Sequence, residues 1–183
     1  DTIIFTNVTN EILASHKNSL ELLHKHNKRL LTKLNGLRRK KIDGIKIPKT
    51  ILANQEAEHF SEYFKFKADQ KFSFSTLKDS DASFTARDIQ TKISGSSFTV
   101  QTPQEQEIFT INIPGKINVS NALAAISTAS LLDIKLKAAA KRLANYAGVP
   151  GRMNFVNQGQ PFTVLIDYAH EESGLKHLLE WAT

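Results

Sequence analysis

At Pro114-Gly115 the apolar pattern of the chain changes period, and that change restricts the fold more than any other feature. Before it, apolar residues alternate with polar ones: Phe64 and Phe66 with lysines, Phe72 and Phe74 with serines, then Phe98 and Val100, and finally Ile108 to Ile113. A period of two lines one face of a pleated strand. After it, Asn121 to Leu132 is rich in alanine and leucine at helical spacing, and a second helical stretch, Leu136 to Tyr146, stops at Gly148 and Pro150. A chain holding both periods must lay helices on a sheet, so an α/β class is predicted.

Within the alternating tract, turns are expected at Ala68 to Gln70, Gly95 to Ser97 and Pro103 to Gln106. Phe84 and Ala86 keep one parity while Ile89, Thr91 and Ile93 keep the other, which predicts a bulge near Arg87-Asp88. A small antiparallel meander accounts for these strands. The helix from Asn121 to Leu132 carries apolar or small residues on two sides and is expected to be buried nearly all round.

Upstream, Ile3 to Phe5 reads as a short buried strand. From Asn10 onward Leu13, His16, Leu20, Leu23, Asn27, Leu30 and Leu34 recur at spacings of three and four, the stripe of one helix face. His16 and Asn27 interrupt that stripe; such residues either hydrogen-bond to backbone at the edge of a core or face a site. His24 and His26 are two apart and point different ways, a poor metal pair. Gly36 and the basic Arg38 to Lys41 end the helix, Gly44 and Pro48 mark a loop, Thr50 to Asn54 reads as a strand, and Gln55 to Tyr63 as a short helix.

The formal charge of +6 would suit an anionic partner, with the basic residues concentrated between Lys17 and Lys49. A solvated helix face and loop explains that run, and no aromatic platform accompanies it, so nucleic acid is not an expected partner. No apolar run approaches the roughly 18 residues of a membrane span, no membrane partner is expected, and the expected location is cytoplasmic. Cysteine is absent, which excludes disulfides and thiolate metal sites. The chain opens at Asp1 without methionine and stops at Thr183 inside a helical pattern, as expected of part of a larger protein.

The apolar run Phe162 to Ile166 reads as a buried strand that ends in Asp167-Tyr168-Ala169-His170. Ligand crevices of open α/β sheets lie outside strand carboxyl ends. An acid there either hydrogen-bonds a turn or accepts from a pair of ligand hydroxyls. Arg152 follows Pro150-Gly151, where a tight turn would present its guanidinium to phosphate oxygens. His170 precedes a helix amino terminus, itself favourable to anions. No nucleophile elbow, cysteine nucleophile or zinc-protease signature is present.

Gly148-Val-Pro-Gly-Arg-Met153, Val164-Leu-Ile-Asp-Tyr-Ala-His170 and Asn118-Val-Ser-Asn-Ala-Leu-Ala-Ala125 resemble the Mur ligases. Phe5-Thr-Asn-Val-Thr9, Leu52-Ala-Asn54, Phe84 to Ile89 and Gly95 to Phe98 are similar to further family segments in the same order. The likeness is strongest to the MurE type, which uses ATP to add the third amino acid to UDP-N-acetylmuramoyl-dipeptide in peptidoglycan synthesis. It implies that residues 1–150 are the latter part of a central ATPase domain, a sheet with flanking helices plus the small meander. Residues 151–183 would then be the first strand and helix of a Rossmann-like carboxyl-terminal domain. It also implies nucleotide contacts: Asn121 to adenine, Arg152 to phosphates, Asp167 to ribose, Tyr168 in the same set, and His170 near the phosphate chain. No catalytic residue and no metal ligand is assigned within the segment.

The family cofactor is magnesium, and here the sequence departs from its relatives. Ile12 stands where the family has a metal-binding histidine, and a side chain without a lone pair cannot coordinate a metal. The lysine that relatives carbamylate is replaced by Asn27, or by His26 without an inserted residue; Lys25 and Lys28 lie beside that place, turned about 100 to 200 degrees round the helix. Glu171-Glu-Ser173 replaces the family's Thr-Pro-Asp, and Asn154 a glutamate. These changes count against Mg2+ at those positions and leave open a second reading, a divergent homologue that binds nucleotide or a partner without ligating.

Overall fold

The computed structural model describes residues 1–7, 19–170 and 172–182. Strand β1 (Thr2–Phe5) precedes helix α1 (Leu20–Gly36), the hairpin strands β2 (Lys41–Ile42) and β3 (Ile45–Lys46), and strand β4 (Thr50–Asn54). Helix α2 (Phe60–Phe64), strands β5 (Gln70–Ser75), β6 (Phe84–Lys92), β7 (Gly95–Gln101) and β8 (Gln106–Ile111), and helices α3 (Lys116–Ser130) and α4 (Leu136–Leu143) follow. Strands β9 (Asn154–Val156) and β10 (Val164–Ile166) and helix α5 (Glu172–Ala182) close the described chain. The main sheet has the order β1-β4-β5-β6-β7-β8. Its first three pairings are parallel and its last two antiparallel.

All five residues of β4 are buried, because helices cover both faces of the sheet there. Ile51 and Ala53 pack with Phe5, Leu31, Leu34 and Tyr63 under α1 and α2. Leu52 points the other way, into a core with Phe74, Phe98, Phe109, Leu123 and Ile126 under α3 and α4. Helix α1 starts where the Ser19 hydroxyl accepts the Leu22 N–H at 3.2 Å. It ends where the buried Lys49 ammonium donates to the carbonyls of Asn35 (2.8 Å) and Leu37 (2.6 Å), a cation on the negative end of the helix dipole.

The main sheet and the bulge follow the sequence reading: the β6–β7 register shifts between Arg87 and Gln90, and Asp88 has φ 52°. Other elements correct it. Residues 10–18 of the expected long helix, with His16, fall outside the described residues; α1 begins at Leu20 and buries Leu31 instead of Leu30, which is 53% exposed. Phe64 and Phe66 form no strand. The Phe60 and Phe64 rings pack tilted, with centroids 4.8 Å apart, on one face of α2, so helical spacing underlies that aromatic run. The meander therefore begins at β6, and β5 lies inside the parallel part with Ser73, Phe74 and Ser75 all buried.

Helix α3 begins five residues before the expected start, since Gly115 at φ 95° turns the chain and the Asn118 amide donates to the Pro114 carbonyl at 2.7 Å. It is not buried all round: Asn121 and Ala125 form an open edge and Leu132 beyond it is 68% exposed. Helix α4 stops at Leu143, three residues short of Tyr146. The expected buried strand Phe162 to Ile166 is reduced to β10, which pairs antiparallel with β9 alone; Phe162 is 65% exposed, so the run is apolar at a surface.

Candidate functional site

The open edge of α3 forms one wall of a cavity of about 1050 Å³, opposite the segment 149–170 and α5. Tight polar contacts set that edge. Thr91 Oγ1 accepts the Gly115 N–H at 2.8 Å and lies 2.8 Å from Ser96 Oγ, which donates to the Ile113 carbonyl at 3.1 Å. Gly95 allows this approach: a Cβ there would sit 2.2 Å from the Ile111 carbonyl oxygen, at φ 144°. The Asn112 amide reaches the carbonyls of Ala144 (3.1 Å) and Tyr146 (3.2 Å), tying the end of β8 to the chain that leads to Arg152.

All five residues singled out from the sequence line this one cavity: Asn121, Arg152, Asp167, Tyr168 and His170. Asp167 first acts as a turn holder. Its Oδ2 accepts the Met153 N–H and its Oδ1 the Ala169 N–H, both at 2.8 Å, so the carboxylate pins the loop after α4 to the end of β10. Met153 sits at φ 45°, a left-handed conformation that such a tie offsets. An ionised carboxylate has about four acceptor positions, so two bonds leave capacity for a ligand hydroxyl.

The Arg152 guanidinium carbon lies 4.5 Å from the Tyr168 ring centroid, the geometry of a cation on an aromatic face. The His170 ring packs edge-on against the same tyrosine at 4.7 Å, and its Nδ1 lies 2.9 Å from the Tyr168 carbonyl oxygen. The group is therefore a small stack facing the α3 edge. Asn118, one turn before Asn121, also lines the cavity and escaped the sequence reading; its spacing of three on the same helix face was the available signal. A second hollow of about 950 Å³, lined by Lys78, Asp79, Arg87 and Asp88, meets the first at Thr91 and Lys116.

A separate polar cluster lies between α1 and α2. His24 Nδ1 shares a 2.7 Å hydrogen bond with the Tyr63 hydroxyl, to which Asn27 donates at 3.4 Å, while the His24 and His59 rings lie 3.7 Å apart. Burial, then the charge of His59, lowers the His24 pKa below its usual 6.5. Lys28 and His59, bonded to Glu62, pull that carboxyl down to about 2, and burial raises the Tyr63 pKa. Asn27, expected to reach backbone or a site, is thus committed to a side-chain hydroxyl. Ile12 lies outside the described residues. Among the described residues no group of three or more His, Cys, Asp or Glu side chains could hold a metal ion. The α1 residues present do not fit a magnesium site: Asn27 is bonded to the Tyr63 hydroxyl and Lys28 to Glu62.

A mostly parallel sheet with helices on both faces and a cavity beside the first turns of α3 defines an α/β protein of the doubly covered kind. The chain belongs to the Mur ligase family: residues 1–129 match the Mur ligase middle domain. It is 32% identical over 182 residues to the UDP-N-acetylmuramoyl-L-alanyl-D-glutamate--2,6-diaminopimelate ligase of Bacillus cereus, covering 100% of this chain and 35% of that protein. It is 35% identical over 133 residues to the ligase of the same name from Listeria monocytogenes, covering 73% of this chain and 27% of the relative. The crystal structure of MurF from Acinetobacter baumannii superposes with a TM-score of 0.78 at 18% identity, over 98% of this chain and 36% of that one. A solved UDP-N-acetylmuramoyl-L-alanyl-D-glutamate--2,6-diaminopimelate ligase gives 0.76 at 20%, over 99% and 35%, so these two likenesses speak for the fold. The chain spans about a third of the length of such relatives. Among the described residues no helix is long and apolar enough to cross a membrane.

Proposed function

We propose that the chain is a segment of a cytoplasmic, ATP-dependent amide ligase of the MurE type. Residues 1–150 form the latter part of its central domain and residues 151–183 the start of its carboxyl-terminal domain. The supporting observation is the gathering of Asn121, Arg152, Asp167, Tyr168 and His170 around one cavity of about 1050 Å³, large enough for a nucleotide. ATP transfers its terminal phosphoryl group to an oxygen of the substrate carboxylate, with ADP leaving on the broken P–O bond. An amine then attacks the carbonyl carbon of the acyl phosphate, phosphate leaves with the C–O bond electrons, and the nitrogen gives up a proton to solvent. The Asn121 amide meets the adenine edge. The free lone pairs of Asp167 accept from ribose hydroxyls. Arg152, held on the Tyr168 face, and His170 neutralise phosphate oxygens.

The relatives' names point to UDP-N-acetylmuramoyl-L-alanyl-D-glutamate as acceptor and 2,6-diaminopimelate as the amine. The replaced metal-site positions favour the second reading, a nucleotide binder that does not ligate, while the ligase names of the matched relatives favour the first. Phosphate release from ATP by the full-length protein, with that acceptor and candidate amino acids, separates them. Release dependent on both substrates supports ligation. ATP binding without release under any combination would leave only the binder, and no ATP binding would remove both.

A further inference from the structure

We infer that the β2–β3 hairpin is a docking element for an anionic lipid bilayer surface. All twelve residues from Asn35 to Lys46 are exposed. They carry Arg38, Arg39, Lys40, Lys41 and Lys46 against one acid, Asp43. Arg39 pairs with Asp69 and Lys40 with Asp1 at 3.1 Å, and Arg38, Lys41 and Lys46 have no ion-pair partner among the described residues. Asp43 and Gly44, at φ 50° and 79°, close a two-residue turn of the tight hairpin kind. That turn sets Ile42 opposite Ile45 and Lys41 opposite Lys46. Paired residues share a face, so the ribbon has an isoleucine face and a lysine face. Ile42 is 60% exposed, Ile45 70%, and Leu37, five residues before Ile42 in the same exposed stretch, 58%.

A soluble domain leaves such a tip in water at a cost. Three bulky apolar side chains among cations match the boundary of an anionic bilayer, where the apolar groups enter below the headgroups and the cations remain at the phosphate level. A protein partner is a poorer occupant, since a stable interface needs about 800 Å² per side and a six-residue ribbon offers far less. Nucleic acid is poorer again, because exposed isoleucines neither stack on bases nor meet phosphate. The sequence reading expects no membrane partner; the lack of a spanning helix among the described residues does not bear on a surface contact.

The test is co-sedimentation of the full-length protein with vesicles of phosphatidylcholine alone and of phosphatidylcholine with phosphatidylglycerol. Binding to the anionic vesicles only is expected. It should fall at least tenfold in Lys41→Glu/Lys46→Glu, each reversal removing a favourable charge worth about fivefold, and about tenfold in Ile42→Ser/Ile45→Ser. Both faces of the hairpin are exposed, so both variants should melt like the parent. No vesicle binding, binding that survives either double variant, or tighter binding to single-stranded RNA than to the anionic vesicles would each overturn the inference. Ligase activity without vesicles is a separate readout that these variants should leave unchanged.

Discussion

Replacing Asp167 separates its two capacities, as a tie within the fold and as a ligand contact. The carboxylate accepts two backbone N–H bonds at 2.8 Å, from Met153 fourteen residues away and from Ala169 two residues on. A hydrogen bond to a charged group contributes about 1.5–3 kcal/mol, and less where water can substitute, as it can at this half-buried residue. Asp167→Asn keeps one acceptor oxygen and turns an NH2 group toward the second N–H, so a local loss of roughly 1–2 kcal/mol is expected. Asp167→Ala loses both bonds, roughly 2–4 kcal/mol. Because about 1.4 kcal/mol is a factor of ten, amide hydrogen exchange at Met153 or Ala169 should speed up about tenfold in the asparagine variant and about thirtyfold to several hundredfold in the alanine variant. Amides in α3 should be unaffected. Wild-type exchange at both amides in Asp167→Ala would refute the tie, whatever happens to nucleotide affinity.

Four further outcomes follow from the same coordinates. Gly95→Ala, which forces a Cβ to 2.2 Å from the Ile111 carbonyl oxygen, should cost roughly 2–4 kcal/mol in chemical unfolding; unchanged stability would deny the close approach. Leu31→Ala, at a fully buried position, should cost about 2–5 kcal/mol by the same measurement. Tyr168→Leu should raise the KM for ATP about two- to fivefold with kcat little changed, while Tyr168→Phe keeps the ring and stays near wild type. His24 is the pH-sensitive group: its folded pKa is lowered, so the unfolded chain binds the proton first and stability falls as pH drops below 6.5. Its charged or titratable neighbours are His59, Glu58, Glu62, Lys28 and Tyr63. The Glu62 contribution is lost lower, between 4.5 and about 2. Melting curves of parent and His24→Gln from about pH 8 to pH 5 should therefore converge on acidification.

How much was legible depended on where each signal came from. β7 and the bulge at Arg87 could be read because the pleat imposes a period of two on neighbouring residues, and β5 by the alternation of Phe72 and Phe74 with serines, while β4, buried on both faces, shows only as a short apolar run. The switch to helix after Gly115 could be read, but Lys116 to Ser120 could not be assigned to it, since they lack the alanine-leucine bias and the turn at Gly115 depends on Thr91, far away in sequence. Phe64 and Phe66 misled because an aromatic ladder on a short helix mimics alternation over four residues. Asn121 and Tyr168 are legible only through motif likeness, whereas Arg152, Asp167 and His170 also stand out by position; which role Asp167 fills depends on the Met153 and Ala169 N–H groups, which the sequence does not place. The His24 cluster was hidden because it needs His59, a non-glycine residue at φ 64° on another element.

Strand β4 offers a practical consequence. Ile51 and Leu52 are adjacent in sequence, both are fully shielded from water, and each reports on a different side of the sheet. Spectroscopic labels at these neighbours would watch the two hydrophobic compartments separately during unfolding. Coincident signals would mean the layers melt as one cooperative body, and a lag would reveal which layer lets go first.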